Sequence, residues 1–126
     1  MDLSPYAKDK INDHLNGVAA WTMPTNVYVA TFNGDPLGAG VENTTTLRAA
    51  GRVEAVMGAS SSGVAANTSD ADFGDADAGA TVTHTAHMDA QSGGNILMAD
   101  ELASTQVISA GNPVNFPTGD ITTTFA

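Results

Sequence analysis

The first hydrophobic pattern in the chain has a spacing of four residues and predicts an amphipathic helix. Its apolar positions are Leu3, Ala7, Ile11 and Leu15. Ser4 followed by Pro5 is typical of a helix start, because Ser accepts a hydrogen bond as N-cap and Pro is tolerated in the first turn. Gly17 suits the position just beyond the last turn. The pattern therefore predicts a helix over residues 5–16.

After the helix, the hydrophobic pattern becomes that of a β-rich region over residues 26–126. Residues 27–32 are β-branched and aromatic, and the turn-formers Asn-Gly-Asp-Pro at 33–36 end this strand. Gln91-Ser-Gly-Gly94 predicts a hairpin turn. That turn would join strands at 81–89 and 96–102, and the chain would then complete a meander. The further strands of the meander are predicted at 105–109, 114–116 and 121–125.

Two segments between these strands are harder to assign. Residues 47–57 contain Ala residues that permit helix but also alternate by two, which favours a strand. Residues 59–80 are rich in Ser, Ala, Gly and Asp and indicate a loop with one short strand. The sequence as a whole predicts a single, mainly β domain. We expect an antiparallel β-sandwich or small barrel of about seven short strands, with one N-terminal α-helix packed on a face or an end.

Charge is sparse, acidic and unevenly distributed. Four basic and 14 acidic residues give a net charge of −10, and no Lys or Arg follows Arg52. Binding to phosphate backbones or anionic membranes depends on clustered Lys and Arg. The composition therefore predicts that the protein binds neither nucleic acid nor membrane.

Cysteine and targeting signals add further expectations. The chain has no Cys, which removes disulfide and thiolate chemistry. Its first residues lack the basic and apolar regions of a signal peptide, and no apolar run reaches the length of about 18 residues that a membrane span needs. We expect a soluble protein made in a cytoplasm. The abundance of Ala, Gly, Thr and Ser suits close contact with copies of itself or with a partner shell.

The order of these segments resembles small tailed-phage virion proteins, commonly called phage tail fibre proteins. In that group a helix precedes a strand like 27–32 and a turn like Asp35-Pro36. A later strand ends in Asp-Ala before a Ser/Thr-Gly-Gly-Asn turn, as in residues 87–97. A Gly-Asn turn like Gly111-Asn112 and a Phe-Pro stretch like Phe116-Pro117 then precede the last strand. The resemblance covers nearly the whole chain and implies a phage virion structural protein.

Two positions in the particle fit such a protein. Its size, acidity, lack of Cys and richness in Ala, Thr and Gly also resemble capsid decoration (cement) proteins. The leading hypothesis is such a protein, a homotrimer that binds the major capsid protein on the outer head surface and stabilises it. The alternative is a tail-fibre or tail-tip module that binds the host surface or other tail proteins. Either is a virion component assembled in the host cytoplasm.

Metal binding and catalysis receive little support from the residue pattern. The densest acidic cluster comprises Asp70, Asp72, Asp75 and Asp77. Their spacing by two suits Ca²⁺, but the run departs from the EF-hand pattern, so a solvated acidic loop is the preferred interpretation. His84 and His87 are three apart in a strand and should point to opposite faces. We therefore predict no metal and no cofactor.

A Ser-His-Asp set can be drawn from Ser104, His87 and Asp89, but no nucleophile elbow surrounds the serine. Asp100 and Glu101 are adjacent in a strand, so they point opposite ways and do not form an acid/base pair. The prediction is that this protein is not an enzyme.

The candidate site residues are therefore those of an interface. Tyr6 and Trp21 lie in and just after the helix, and Met23 follows in the linker. Trp21 could pack the helix against the sheet or anchor a subunit interface, where Trp is enriched. Arg48 and Arg52 are the last basic residues before a long acidic region. They could pair with acids of a neighbouring copy or with acids of the same chain.

Overall fold

The computed structural model describes residues 2–43 and 51–125 and is mainly β, with 44% strand and 9% helix. The helix α1 spans Pro5–Leu15. The described strands are β1 (Asp2–Leu3), β2 (Tyr28–Asn33), β3 (Val41–Glu42), β4 (Val53–Glu54), β5 (Val64–Ala66), β6 (Ala71–Asp75), β7 (Ala80–Met88), β8 (Ile96–Ile108), β9 (Pro113–Phe116) and β10 (Thr122–Thr124).

Six of these strands form one antiparallel sheet, in which β1, β8, β7, β2 and β3 follow one another and β4 also pairs with β2. Strands β3 and β4 share the same edge of β2, where Phe32 faces Glu42 and Val29 faces Val53. Two separate ribbons complete the fold, β5 with β10 and β6 with β9.

Both faces of β2 are covered. Val29 belongs to a core cluster shared with the ribbon of β6 and β9, whereas its neighbour Ala30 belongs to a second cluster on the other face. The first cluster contains Val29, Ala55, Ala71, Phe73, Ala76, Val82, Val114 and Ile121. The second contains Ala30, Phe32, Ala86, Met88 and Ala99. Burial on both faces explains why residues 27–32 lack polar alternation, since neither side of this strand meets water.

The predicted fold class is confirmed: the chain is mainly β, its sheets are antiparallel and one helix precedes them. Of the two architectures considered, the small barrel is not the one adopted, because the described strands do not close into a barrel. The helix start is also as predicted. The Ser4 hydroxyl accepts a hydrogen bond from the Ala7 N–H at 3.0 Å, and Gly17 has φ +71° just after the helix. No helix in the described ranges is long and apolar enough to cross a membrane.

The predicted meander is wrong. Strand β9 pairs with β6 and β10 pairs with β5, so the last strands return to a distant part of the chain. Residues 59–80 hold two strands, not one, and β8 is a single strand whose register with β7 shifts between Val82 and His84. Within 47–57 the structure shows strand β4 and an isolated bridge at Met57, while residues 44–50 lie outside the described residues.

Candidate contact surface

The apolar stripe of α1 runs from the protein core to the surface. Ala7 is fully buried, Ile11 is half-buried, and Leu15 is 77% exposed. The start of the helix is held to the sheet by the Ser4 N–H, which donates to the Leu97 carbonyl at 3.0 Å. The last turn therefore presents apolar surface that the described part of the protein leaves uncovered.

The linker after the helix folds back against this last turn. The backbone N–H of Trp21 donates to His14 Nδ1 at 3.1 Å, and the Trp21 ring meets the Tyr6 ring edge-on at 6.4 Å between centroids. Met23 follows with 83% of its surface exposed. Together these residues form a cleft of about 250 Å³, and we call its apolar residues the helix–linker patch: Ile11, Leu15, Trp21, Met23 and Pro24.

This placement brings together three of the predicted interface residues. Trp21 and Met23 line the helix–linker patch, and Tyr6 lies beside it through its ring contact with Trp21. Large exposed apolar surfaces of this kind mark interaction sites on proteins. The structure thus groups the three residues on one surface, while their role as an interface stays a prediction.

The positive charges of this region lie next to the patch. The Lys10 ammonium lies 5.7 Å from the centre of the Tyr6 ring, and Lys8 is exposed two residues earlier on the helix. Arg52, by contrast, is buried. In the part of the chain that the structure describes, Lys8 and Lys10 are therefore the exposed cations.

The hydrogen bonds of Arg52 join it to β3 and to the turn between β7 and β8. Its guanidinium pairs with Glu42 of β3, which matches the intrachain alternative that the sequence left open. Arg48 lies outside the described residues. Arg52 is therefore not one of the residues that form the helix–linker patch.

The acidic cluster is divided between a loop and a strand. The Asp70 carboxylate accepts hydrogen bonds from the backbone N–H of Thr118 at 2.9 Å and from its hydroxyl at 3.2 Å. These bonds hold the pKa of Asp70 below its usual value. Asp72 and Asp75 lie on β6 and are exposed. Among the residues described, no group of three or more His, Asp or Glu side chains is arranged to hold a metal ion.

The two histidines of β7 occupy different environments, as their spacing predicted. His84 faces Phe32 and Glu101 in the sheet register, whereas His87 faces Val29 and Met98. His87 is only 5% exposed, and this burial lowers its pKa, with the Asp100 carboxylate opposing the shift.

The Ser-His-Asp set considered from the sequence is not assembled. Ser104 lies on the exposed part of β8, and its hydroxyl accepts a hydrogen bond from Gln106 at 3.0 Å. The Asp89 carboxylate is held by Asn95 instead, through the backbone N–H at 2.7 Å and the side-chain amide at 3.0 Å. Burial raises the pKa of Asp89, but these hydrogen bonds outweigh it and hold the value below the usual range.

A groove between β8 and β9 is a feature that sequence reasoning missed. It encloses about 410 Å³ where the register of β8 shifts against β7. Its apolar floor consists of Val82, Leu102, Ile108, Val114 and Phe116. Asp120 lines both this groove and a neighbouring cavity of about 90 Å³ that Asp100 and Glu101 also line. The groove depends on the distant pairing of β6 with β9, for which local periodicity carries no signal.

The turns that carried the family resemblance are hydrogen-bonded elements of the scaffold. The Asp35 carboxylate accepts from the Leu37 N–H at 2.9 Å, and Asp89 is held by Asn95 in the β7–β8 turn. The Pro117 carbonyl accepts from the Asn67 amide at 3.0 Å. These motifs therefore stabilise turns of the fold.

Comparison with known families identifies the class of this protein as a phage virion structural protein of the fibre type. The family model described as podophage GP4 fiber I protein gp80 matches residues 2–124, and the chain belongs to that family. No curated protein matches the chain. The predicted resemblance to phage tail fibre proteins is confirmed, and membership of a fibre family implies a component of the virion.

Proposed function

We propose that this protein is a non-catalytic structural component of the phage tail fibre and that the helix–linker patch is its contact surface. The observation that carries the proposal is the match of residues 2–124 to a family described as a fibre protein. The structure supports a binding role, because Leu15 and Met23 expose 77% and 83% of their surfaces. Burying apolar side chains of this size on assembly contributes about 1.5–3 kcal/mol each.

Capsid decoration is the second candidate. Size, acidity and the abundance of small residues favour it, as does the lack of cysteine. The family description fits the tail-fibre alternative better, because it names a fibre protein. We therefore prefer a role in the tail fibre to a role in capsid decoration.

The proposed partners are other copies of the chain and other tail proteins, with assembly in the host cytoplasm. A net charge of −10 disfavours contact with nucleic acid or with anionic membranes. The same charge limits non-specific adhesion between particles.

A purely structural role also agrees with the separation of the candidate catalytic groups. The Asp89 carboxylate is bound to Asn95, and Ser104 bonds to Gln106 on the exposed strand. His87 is buried at the sheet face, where its environment favours the neutral form. Each group has a local structural partner or a packed position.

The decisive experiment counts and locates the protein in virions. Purified particles are separated into heads and tails, and the chain is quantified by mass spectrometry against the major capsid protein. Digestion must be directed at Asp and Glu, because no Lys or Arg follows Arg52. The fibre proposal predicts a small number of copies, all in the tail fraction. Hundreds of copies in the head fraction would overturn it in favour of decoration.

A further inference from the structure

Strand β8 carries a segment that leaves the pairing of the sheet. Between the paired positions Glu101 and Gln106, residues 102–105 oppose only Thr83 of β7. The other edge of β8 pairs with β1 no further than Ala99. Within the described ranges, residues 102–105 therefore have no strand partner on either edge. An unpaired strand edge presents backbone N–H and carbonyl groups and can accept a strand of another chain.

A continuous site runs beside this segment. The groove between β8 and β9 (the β8–β9 groove) encloses about 410 Å³, and the neighbouring cavity encloses about 90 Å³. Leu102, Phe116 and Asp120 line both spaces, so the two adjoin. Asp100 and Glu101 line the smaller space, which we call the acidic cavity. The site thus has an apolar floor and an acidic end.

The acidic cavity contains a buried polar group without a hydrogen bond. His87 lines it and is 5% exposed, and its ring makes no hydrogen bond to another described residue. Buried polar groups nearly always have a partner, which is a protein group, a water or a ligand. A cavity needs about 10–15 Å³ to hold a water, so this one admits a small polar group of several atoms. A neutral imidazole offers that group one donor and one acceptor.

The charge of the site favours a cationic head group. Its acids are Asp100, Glu101 and Asp120, and no Lys or Arg of the described chain lines either space. A metal ion is disfavoured, because no three His, Asp or Glu side chains in the described residues are placed to hold one. An ammonium or guanidinium group suits the cavity, because it donates hydrogen bonds to carboxylates and to a neutral imidazole nitrogen. The apolar stem of a Lys or Arg can lie along the groove floor.

We propose that the β8–β9 groove and the acidic cavity bind an extended basic segment of a different virion protein. The segment pairs with residues 102–105, places a Lys or Arg head group in the acidic cavity and lays an apolar side chain on the groove floor. Since alternate side chains of a strand share one face, the basic and apolar residues are two apart. The inference rests on the proposed structural role and assigns a second contact surface, separate from the helix–linker patch.

A different protein fits this site better than a second copy does. Among the described residues, Lys8 and Lys10 lie on α1, and Arg52 is buried in its pair with Glu42. None of these cations stands on an exposed, extended segment. The described part of the chain therefore offers no segment of the required chemistry.

The first test titrates the isotope-labelled full chain with synthetic peptides and follows its amide signals by NMR. The probe is the capped peptide Thr-Val-Thr-Arg-Thr-Leu-Thr, which places its Val, Arg and Leu on one face. It should bind with a Kd of about 0.1–1 mM and shift the signals of residues 102–105 and His87. Replacing Arg by citrulline keeps the shape but removes the charge, and should weaken binding about tenfold. No binding at about 5 mM peptide would overturn the proposal, and so would equal affinity for the citrulline peptide.

Two variants of the protein test the two parts of the site. Asp120→Asn keeps the side-chain volume but removes a charge, and should weaken peptide binding about tenfold. Asp75→Asn is its control, because Asp75 is an exposed acid of β6 that lines neither space. Ser104→Trp fills the groove from an exposed position and should abolish binding. Val107→Trp is its control, since Val107 is 80% exposed on β8 and lines neither space.

Both controls should bind the peptide as the unmodified chain does, and circular dichroism spectra with melting curves establish that all four variants fold. Equal binding by folded Asp120→Asn and Asp75→Asn would remove the acidic cavity from the site. Unchanged binding by folded Ser104→Trp would place the peptide elsewhere on the protein. Either result would overturn the proposal.

The outcome is separable from that of the proposed function, because the peptide is bound by the purified chain. If the chain occurs in the tail fraction but does not bind the peptide, the fibre role stands and this contact is wrong. If the chain binds the peptide but occurs in the head fraction, the contact stands and the fibre role is wrong. Incorporation into virions tests the partner: Ser104→Trp should reduce it about tenfold relative to Val107→Trp. Equal incorporation of the two folded variants would overturn a virion protein as the partner.

Discussion

The guanidinium of Arg52 binds the carboxylate of Glu42 through two parallel hydrogen bonds, Nε to Oε1 at 2.9 Å and Nη2 to Oε2 at 3.0 Å. The remaining nitrogen, Nη1, donates to the carbonyls of Ala90 at 2.7 Å and Gly93 at 2.6 Å. One side chain thus joins β3, the start of β4 and the turn between β7 and β8. It holds together the two short strands that share an edge of the sheet.

Replacement of Arg52 by Met should therefore destabilise the protein by about 3 kcal/mol, because the change leaves the largely buried Glu42 carboxylate without its partner. The free energy of unfolding is measured by urea denaturation at low protein concentration. Lys8→Met is the control, since it also replaces a cation by Met but at an exposed position, and we expect a change within about 0.5 kcal/mol. Equal effects of the two substitutions would show that the Arg52 pair contributes little to stability.

Asn67 organises the end of the two ribbons. Its side-chain oxygen accepts from the backbone N–H groups of Gly119 and Ile121 at 2.9 and 3.0 Å. Its amide nitrogen donates to the carbonyls of Ser69 and Pro117 at 2.9 and 3.0 Å. The residue is 2% exposed, so water cannot replace these partners.

Asn67→Ala removes four hydrogen bonds to the backbone and should cost on the order of 2–4 kcal/mol. The Gly119 N–H and the Pro117 carbonyl keep a second backbone partner, so the loss is concentrated at the Ile121 N–H and the Ser69 carbonyl. Thermal and urea unfolding measure the loss. Gln91→Ala removes an amide from an exposed turn and should change stability by less than about 0.5 kcal/mol. A small effect at Asn67 would mean that the ribbon end relaxes around the substitution.

The elements that could be predicted are those encoded by local chemistry. The helix follows from the Ser4 cap and the spacing of its apolar residues. The β7–β8 turn follows from its glycines, and both are found where expected. The strand β2 was also expected, although as 27–32 instead of Tyr28–Asn33. Each of these depends on residues close together in sequence.

What could not be predicted depends on distant pairing. One short strand is predicted over residues 59–80, whereas the structure has two, and in the second, β6, Ala71 and Phe73 alternate with exposed residues and are buried. Its small and acidic residues have weak strand propensity, and pairing with β9 overrides that preference. The β8–β9 groove requires the same pairing and could not be predicted from the sequence. Residues of the helix–linker patch, by contrast, could be predicted. Even there, the apolar spacing of the helix does not distinguish Ala7, which is buried, from Leu15, which is exposed.

The two glycines of the β7–β8 turn offer a matched pair of substitutions. Gly93 and Gly94 both have positive φ, +63° and +71°. A Cβ on Gly93 would meet open space, whereas one on Gly94 would collide with the Asp89 carboxylate and with the Cβ of Ala90, at 2.7 Å from the latter. Gly93→Ala should cost about 1 kcal/mol from backbone strain alone. Gly94→Ala should cost at least about 1 kcal/mol more.

Urea unfolding of the two variants measures this difference. Because both replace Gly by Ala at positive φ, the backbone contribution largely cancels and the collision with Asp89 remains. Equal losses at the two positions would mean that the Asp89–Asn95 hydrogen bonds adjust without cost.

The pH dependence of stability should report the burial of His87. Burial lowers its pKa from 6.5, so between that value and the folded pKa the unfolded chain binds more protons than the folded one. The contribution of His87 is therefore fully present above pH 6.5 and is lost as the pH falls through this window. The lowered pKa values of Asp70 and Asp89 change stability only below about pH 3.8, the ordinary pKa of an aspartate, so these groups do not contribute to the slope near pH 6. Urea unfolding between about pH 7.5 and 5 should show that the free energy of unfolding decreases as the pH decreases. His87→Gln should flatten this slope, because Gln does not titrate and the buried histidine is removed. His84→Gln is the control and should flatten the slope less. An unchanged slope in folded His87→Gln would assign the pH dependence to other groups.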